Sequence, residues 1–293
     1  MIPPLPENKR HRRALISRAF EFLCMGATLL SILLLVLLLG SVFYHGAGSI
    51  NWTFLTHNSS RRFAEAGIFN ALVGSVWLIG FVTFFTVPIG IATAIFLEEY
   101  ASPRNWWRKI IETNISNLAG VPSIIYAILG LGLFVRAMDL KRGVLAGALT
   151  LTLVVLPIVI ISAQESLRAV PGSLRHGSLA LGATRWQTIW NQVLPAALPG
   201  IMTGVILAIS RALGEAAPLI TIGAVGFASH IPKGPMDPFT VLPIQIFSWS
   251  ARPQPEFRDL AAGGIIVLMA LLLVLNGAAV AIRHRYARAL GGR

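Results

Sequence analysis

The chain has 293 residues, of which 55% are hydrophobic and 12% are charged, and its mean hydropathy is +0.72. Soluble domains carry about 25% charged residues, so this composition excludes an ordinary soluble protein and indicates a membrane protein. The net charge of +12 does not indicate nucleic-acid binding, because the basic residues flank apolar runs instead of forming one polar domain. Cys24 is the only cysteine, which excludes an intrachain disulfide and a thiolate metal cluster built by this chain.

Six segments are apolar over the roughly 20 residues that a helix needs to cross a bilayer, and they predict an all-α polytopic membrane protein. The segments are 22–44, 68–97, 114–135, 143–163, 198–227 and 260–282. The first follows a basic flank and resembles a signal peptide. Its apolar run of about 23 residues exceeds the roughly 7–15 residues of a signal peptide's apolar region, so we interpret it as a retained span.

The charges of the connecting segments predict that both termini lie in the cytoplasm. On this assignment the cytoplasmic segments carry fifteen Lys and Arg residues and the outer segments carry eight. The predicted order is a cytoplasmic tail (1–21), the first span (22–44), an extracytoplasmic loop (45–67), a transmembrane domain (68–282) with a cytoplasmic loop (164–195), and a cytoplasmic tail (283–293). The proline-rich outer segment 229–259 is amphipathic around 241–249, which indicates a short helix there.

One short outer connection departs from the charge rule, because it holds Arg136, Lys141 and Arg142. Two explanations stay open for this basic cluster. Its residues could line the outer mouth of an anion pathway, or the cluster could arise by chance.

The cytoplasmic loop is longer than a connection between two spans requires. Pro171 suits the first turn of a helix, and Gly182 can close that helix with a left-handed residue. Thr184 and Gln187 have the spacing of a capping box that opens a second helix. We expect Leu194-Pro195 to end this second helix and to turn the chain into the membrane.

An apolar face is predicted along the second loop helix. It consists of Trp186, Ile189, Trp190 and Val193, at positions i, i+3, i+4 and i+7. The face could lie on lipid, with the tryptophans at headgroup depth, or it could dock a partner protein.

Arg211 and Glu215 lie inside the fifth predicted span, where charged side chains are costly and mark pathways or partners. Four residues apart, they share one face of a helix. Arg211 falls roughly 20 Å along a span that starts near Leu198, which is beyond the reach of snorkelling to the near interface. The two charges could neutralise each other as a packing pair. Alternatively, Arg211 contacts an anion in transit and Glu215 tunes that contact, since a guanidinium binds oxyanions bidentately.

The sequence lacks the residues that ATP binding, metal binding or nucleophilic catalysis would need. The sequence contains no Gly-x-x-x-x-Gly-Lys-[Ser/Thr], so the chain has no phosphate loop for ATP. The six histidines show no metal-ligand spacing, and we predict no metal site and no catalytic residue. Ser123 has no histidine or acid in a neighbouring span to activate it as a nucleophile. A proton-coupled secondary anion transporter stays an alternative, although such a carrier needs no long docking loop.

The spacing of the loop resembles that of ABC-importer permeases, in which Glu-Ala-Ala is followed by three residues, Gly, nine residues and Ile-x-Leu-Pro. Three residues of this chain match the family pattern at the corresponding positions: Gly182, Leu194 and Pro195. The positions that depart from the pattern are His176, Gly177, Ser178 and Gln192.

Four further segments resemble the PstA-type permease of the phosphate ABC importer. They are residues 118–126, 181–186, 211–219 (Arg-Ala-Leu-Gly-Glu-Ala-Ala-Pro-Leu) and 242–247. The resemblance implies a type I importer permease of six transmembrane helices with a coupling loop. The loop residues that it assigns to ATPase coupling are His176, Gly177, Ser178, Gly182, Ala183, Thr184, Trp186, Leu194 and Pro195.

The resemblance also implies the partner proteins and the transported substrate. The partners are a second permease of the PstC type, a dimer of PstB-type ATPase subunits that hold ATP-Mg, and an extracytoplasmic PstS-type binding protein. The chain itself would hold no cofactor and bind no nucleic acid. The substrate would be phosphate, with another oxyanion such as sulfate or molybdate as the alternative.

The predicted orientation can be tested by cysteine labelling in a Cys24-free variant. We expect cysteines introduced within 229–259 to react with a membrane-impermeant maleimide on intact cells. Cysteines introduced within 164–195 should react only after permeabilisation. Labelling of the second set from outside would invert the orientation and remove the loop from the cytoplasm.

Overall fold

Helices dominate the structure, as expected for a chain that must satisfy its own backbone hydrogen bonds in lipid. The computed structural model describes residues 7–102, 104–224 and 231–291. The ends of the two predicted tails (1–6 and 292–293), the end of the predicted fifth span (225–227) and the start of the predicted outer segment (229–230) lie outside the described residues.

In chain order, the α-helices of the described residues are α1 (Glu7–Gly46), α2 (Trp52–Thr56), α3 (Phe69–Ile95), α4 (Trp106–Ala119), α5 (Ser123–Gly130), α6 (Val144–Arg168), α7 (Gly172–Ala180), α8 (Arg185–Thr188), α9 (Leu194–Gly214), α10 (Ala217–Ile222), α11 (Leu242–Ser250) and α12 (Glu256–Gly291). π-helical turns follow α3 (Phe96–Tyr100), α5 (Leu131–Ala137) and α8 (Ile189–Val193). The expected short helix of the proline-rich segment is α11.

Five helical segments of the described chain are long and apolar enough to cross a membrane. They are Ile16–Ser49, Phe69–Tyr100, Val144–Arg168, Arg185–Gly214 and Glu256–Arg285. A sixth span results if the pair α4 and α5 counts as one, which matches the six predicted apolar segments.

The predicted span 114–135 is sharply bent, because α4 and α5 meet at 103°. Pro122 has no N–H to donate and biases Val121 away from helical backbone angles, so α4 ends at this point and α5 begins after it. The Tyr126 hydroxyl donates to the Leu118 carbonyl at 2.8 Å, which satisfies an acceptor at the end of α4 and braces the corner.

The core lies between α3, α6 and α9, and α6 is the most buried of the candidate spans. Small residues bring α9 close to α6, as is common between membrane helices. A Cβ on Gly204 would overlap the Ser162 hydroxyl, and one on Gly200 would lie 2.5 Å from the Ser166 hydroxyl oxygen. Since the later residue of α9 meets the earlier residue of α6, the two helices run antiparallel.

Substituting Gly204 tests this close approach. Gly204→Val should lower the free energy of unfolding by about 1–3 kcal/mol, because the added carbons overpack against Ser162. The measurement is the thermal unfolding midpoint of the detergent-solubilised chain. Gly26→Val is the matched control, since a Cβ there meets no described atom within 4 Å. Equal midpoints for the two variants would contradict the packing described here.

Candidate functional site

The turn between α7 and α8 has the geometry that the sequence predicts. Gly182 lies in the left-handed region with φ +84°. Its N–H donates to the Leu179 carbonyl at 3.0 Å, and the Ala183 N–H donates to the Ser178 carbonyl at 3.2 Å. These two bonds form a Schellman cap at the end of α7. Pro171 directly precedes α7, one residue earlier than predicted.

The predicted capping box at the start of α8 is also confirmed. The Gln187 N–H donates to the Thr184 hydroxyl oxygen at 3.3 Å, and the Thr184 N–H donates to the Gln187 side-chain oxygen at 2.9 Å. These two reciprocal hydrogen bonds satisfy two backbone N–H groups with side-chain oxygens, and they fix the direction in which α8 leaves the turn.

The prediction that Leu194-Pro195 ends the second loop helix is wrong. A single helical segment runs from Arg185 to Gly214, and it passes this dipeptide through the π-helical turn Ile189–Val193. The Leu194 N–H donates to the Ile189 carbonyl, five residues back. Because the wider π turn changes the hydrogen-bond register just before Pro195, the missing N–H of that proline does not break the helix. The loop is therefore joined rigidly to α9.

The predicted apolar face of this helix divides into two parts. Ile189 and Val193 are buried in the chain, whereas Trp186 and Trp190 are exposed. The two indole rings stack, with centroids 5.6 Å apart and planes inclined by 16°. The π turn explains the division, since it rotates later side chains relative to the regular helical spacing.

The three residues at the Glu-Ala-Ala positions lie on the second half of α7. His176 and Gly177 are exposed, and the Ser178 hydroxyl hydrogen-bonds the Thr188 hydroxyl at 3.0 Å, which joins α7 to α8. A surface cavity of about 630 Å³ opens beside this pair of helices. Its lining consists of Ser173, Leu174, Gly177, Ser178, Leu181, Gly182, Ala183, Gln187, Asn191 and Gln192. The lining carries no charged side chain.

Arg175 anchors the loop, and sequence reasoning did not identify it. Its guanidinium forms an ion pair with Glu99, at the end of the π turn that follows α3, with a shortest N–O distance of 2.8 Å. It also donates to the carbonyls of Leu167 and Val170 at 2.7 Å each. The loop is thus fastened at once to the ends of α3 and α6.

A second ionic group at the same end of the bundle joins α3, α4 and α6. Arg108 is buried and donates to Glu98 at 3.2 Å and to Glu112 at 2.9 Å. Arg168 pairs with the same two carboxylates at 2.6 Å and 3.2 Å. Charges that flank spans are visible in the sequence, but their pairing depends on how the helices pack.

Arg211 and Glu215 come together, although not on one helix as predicted. α9 ends at Gly214, and Glu215 is the first residue beyond it, with an extended backbone (φ −80°, ψ 112°). The Arg211 Nε lies 3.5 Å from a Glu215 carboxylate oxygen, and the Arg211 side chain is 49% exposed. Pro218 explains the break, because it has no N–H to donate to the Gly214 carbonyl four residues back and its ring would clash with that carbonyl in a continuous helix. Arg211 therefore occupies the last turn of α9, where a cation complements the helix dipole.

The depth of this charge pair follows from the register of α9 on α6. Since 200 faces 166 and 204 faces 162, extending the antiparallel register brings Arg211 level with position 155. That position lies 11 residues after Val144, close to the middle of the helix Val144–Arg168. At about 1.5 Å per residue, Arg211 is level with a point roughly 16 Å from the Val144 end of α6 and roughly 20 Å from its Arg168 end. The charge pair thus lies midway along the most buried candidate span.

One member of the basic cluster Arg136, Lys141 and Arg142 packs near the helix break that follows α9. Gly223, at the end of α10, has φ +96°, and a Cβ there would lie 2.7 Å from the Arg142 Cδ. Arg142 therefore packs along the far end of the short helix that begins two residues after Glu215. This contact joins the connection between α5 and α6 to the helix that follows the break.

A polar contact on α9 fixes the rotation of its last turn. The Ser210 hydroxyl donates to the Asn276 side-chain oxygen on α12 at 2.8 Å. The neighbouring residue, Arg211, consequently points away from this contact. The sequence analysis did not identify Asn276 as a contact residue, although a lone amide side chain inside an apolar run is a signal that could have identified it.

Curated relatives and solved structures resemble this chain over most of its length. It is 33% identical over 258 residues to the probable ABC transporter permease protein YqgI of Bacillus subtilis, covering 84% of this chain and 87% of that protein. It is 30% identical over 278 residues to the phosphate transport system permease protein PstA of Yersinia pestis, covering 93% and 92% respectively.

The fold matches chains of solved importers. A chain of a bacterial alginate ABC transporter superposes with a TM-score of 0.64 at 17% identity, covering 94% of this chain and 96% of that chain. A chain of the MetNI methionine ABC transporter in an inward-facing conformation gives 0.60 at 17% identity, covering 75% and 97%. The expected type I importer permease fold is thereby confirmed.

A family profile covers the loop, the core helices and the charge pair. Residues 86–288 match the family described as binding-protein-dependent transport system inner membrane component. The chain therefore belongs to this family of inner-membrane components and is the permease component of an ABC importer.

Proposed function

We propose that this chain is one of two permease subunits of an ATP-driven phosphate importer and that its half of the pathway passes Arg211. The observation that carries the proposal is the half-exposed guanidinium of Arg211 at a helix break midway along the bundle. Half-helix ends near the membrane midplane form substrate sites in many transporters. The permeases of the PstA type that resemble this chain support phosphate as the substrate.

The chain works in this proposal with partners that supply energy and substrate. ATP-Mg binds and is hydrolysed on a dimer of ATPase subunits, since the chain itself has no phosphate loop. A second permease supplies the other wall of the pathway, and an extracytoplasmic binding protein delivers the anion. Both termini and the loop 164–195 face the cytoplasm, where the ATPase docks.

The continuous helix Arg185–Gly214 carries the motion in this mechanism. The ATPase moves the α7–α8 turn when its subunits close, and the helix transmits that displacement to its other end, where Arg211 lies. Over 30 residues the helix is roughly 45 Å long. Alternating access then changes the side of the membrane to which Arg211 is exposed.

Glu215 tunes the contact with the anion. Its carboxylate lies 3.5 Å from Arg211 and competes with the anion for the guanidinium. An unopposed guanidinium at mid-depth would bind phosphate strongly and release it slowly, whereas a neighbouring carboxylate lowers the affinity and orients the side chain. A transport site needs this balance between capture and release.

Substitutions of Arg211 test the pathway and the substrate together. In proteoliposomes that hold the purified complex, we expect wild type to take up phosphate in preference to sulfate and molybdate. Arg211→Gln should reduce phosphate uptake at least about tenfold, because a hydrogen bond to a charged group contributes about 1.5–3 kcal/mol. Arg211→Lys should restore uptake in part, since an ammonium keeps the charge and loses the bidentate geometry.

The controls separate transport from assembly. Basal ATPase activity and the subunit composition of the complex should be unchanged in Arg211→Gln. Normal uptake by this variant, or full recovery in Arg211→Gln/Glu215→Gln, would make the charge pair structural and place the pathway elsewhere. Preferential uptake of sulfate or molybdate by wild type would replace phosphate with that oxyanion.

Gly182 tests the role of the turn. Gly182→Val should leave membrane insertion intact and weaken ATPase docking and transport, because a β-branched residue at φ +84° strains the turn by at least about 1–2 kcal/mol. Gly182→Asn is the matched control, since asparagine tolerates the left-handed region. The measurements are co-purification of the ATPase and uptake. If the valine variant assembles and transports like the asparagine variant, the turn is not the docking element.

A further inference from the structure

A small cavity on the loop, separate from the uncharged one beside α7, is lined by basic side chains. It measures about 190 Å³ and lies between α7, α8 and the π turn after α3. Its lining consists of Glu99, Arg175, His176, Leu179, Arg185, Thr188 and Ile189. We call it the basic cavity.

The only carboxylate of the basic cavity is already engaged. Both oxygens of Glu99 accept hydrogen bonds from the Arg175 guanidinium, with a shortest distance of 2.8 Å. Arg175 also donates to the backbone carbonyls of Leu167 and Val170. Glu99 and Arg175 neutralise each other, and they leave Arg185 as the unpaired charge of the cavity.

His176 and Arg185 have no side-chain partner among the described residues. Both are exposed, and neither forms a hydrogen bond or an ion pair with another described side chain. The sequence from Ser166 to Gly214 contains no Asp or Glu, and the one acid of the loop 164–195, Glu165, pairs with Arg168. The free charge at this site is therefore positive and uncompensated.

The position of Arg185 disfavours a purely structural role. Arg185 is the first residue of the continuous helix Arg185–Gly214, where the helix dipole is positive and a cation is unfavourable. The capping box of Thr184 and Gln187 already satisfies the start of this helix without Arg185. An anionic group outside the chain would offset this unfavourable placement through a charge-assisted hydrogen bond.

We propose that the basic cavity receives an acidic side chain of the ATPase that docks on the loop. This inference rests on the proposed function, in which the ATPase contacts the α7–α8 turn. The ATPase surface opposite α7 and α8 then carries an Asp or Glu that pairs with Arg185 beside His176. The uncharged cavity on the other side of α7 receives uncharged parts of the same partner, so the charge pair sets the register of docking.

Charge reversal at Arg185 tests the proposal. The permease pair is placed in nanodiscs, and binding of the ATPase subunit of its own complex is measured at low and high salt. Arg185→Glu should weaken ATPase binding at least about tenfold at low salt, with a smaller difference at high salt. Arg104→Glu is the matched control, because Arg104 is an exposed cation near the same end of the bundle and outside the loop. Its binding should stay within about twofold of wild type.

A rescue identifies the partner residue. Replacing acidic residues of the ATPase docking surface by Arg, one at a time, should yield a variant that restores binding to Arg185→Glu and binds wild type less well. Unchanged binding by Arg185→Glu, in a series where Gly182→Val still weakens docking, would overturn this proposal and leave the proposed function in place. Absence of any ATPase binding by the wild-type permease pair would overturn both.

Inorganic phosphate distinguishes a free anion from a protein carboxylate. Phosphate titrated against the permease pair without ATPase should show no saturable binding that depends on Arg185. Saturable binding that Arg185→Glu abolishes would overturn the proposal, because the cavity would then be a site for the free anion.

Discussion

A helix that is interrupted inside lipid must find new partners for its backbone polar groups, and this constraint shapes the permease. At the α4–α5 corner, the Tyr126 hydroxyl satisfies the Leu118 carbonyl. Before Pro195, the π turn supplies a hydrogen bond to the Ile189 carbonyl. At the break after α9, the Ala216 carbonyl accepts from the N–H groups of the new helix α10. Each interruption therefore has a defined geometry with partners for its backbone groups.

Of these three interruptions, the π turn before Pro195 affects the architecture most. A simple break there would have placed a hinge between the loop 164–195 and helix α9. The continuous helix Arg185–Gly214 instead carries the loop at one end and Arg211 at the other. Its path is fixed by antiparallel packing on α6, where Gly200 and Gly204 allow close approach. Because packed helices of this kind move as units, a displacement at the loop is expected to reach the charge pair.

The end of the bundle that carries the loop 164–195 is fastened by ion pairs in addition to apolar packing. Arg175 ties the loop to α3 and α6, and Arg108 and Arg168 join α3, α4 and α6 through Glu98 and Glu112. Buried ion pairs contribute little net stability, since desolvation offsets their attraction. Their geometry is specific, however, and it determines how three helix ends are placed next to the loop 164–195.

The sequence by itself determined the features that depend on local chemistry. Apolar runs gave the candidate spans, the Thr184–Gln187 spacing gave the capping box, and Gly182 gave the left-handed turn. These depend on residues a few positions apart, whose backbone preferences act before any packing. Only the tertiary structure decided that α4 and α5 meet at a sharp angle, that the loop helix continues past Pro195 and that Arg211 ends a helix at mid-depth. Prolines in the sequence mark where these helices can be interrupted. Whether a helix bends, continues or ends there depends on contacts between residues tens of positions apart, such as Glu99 with Arg175 and Gly204 with Ser162.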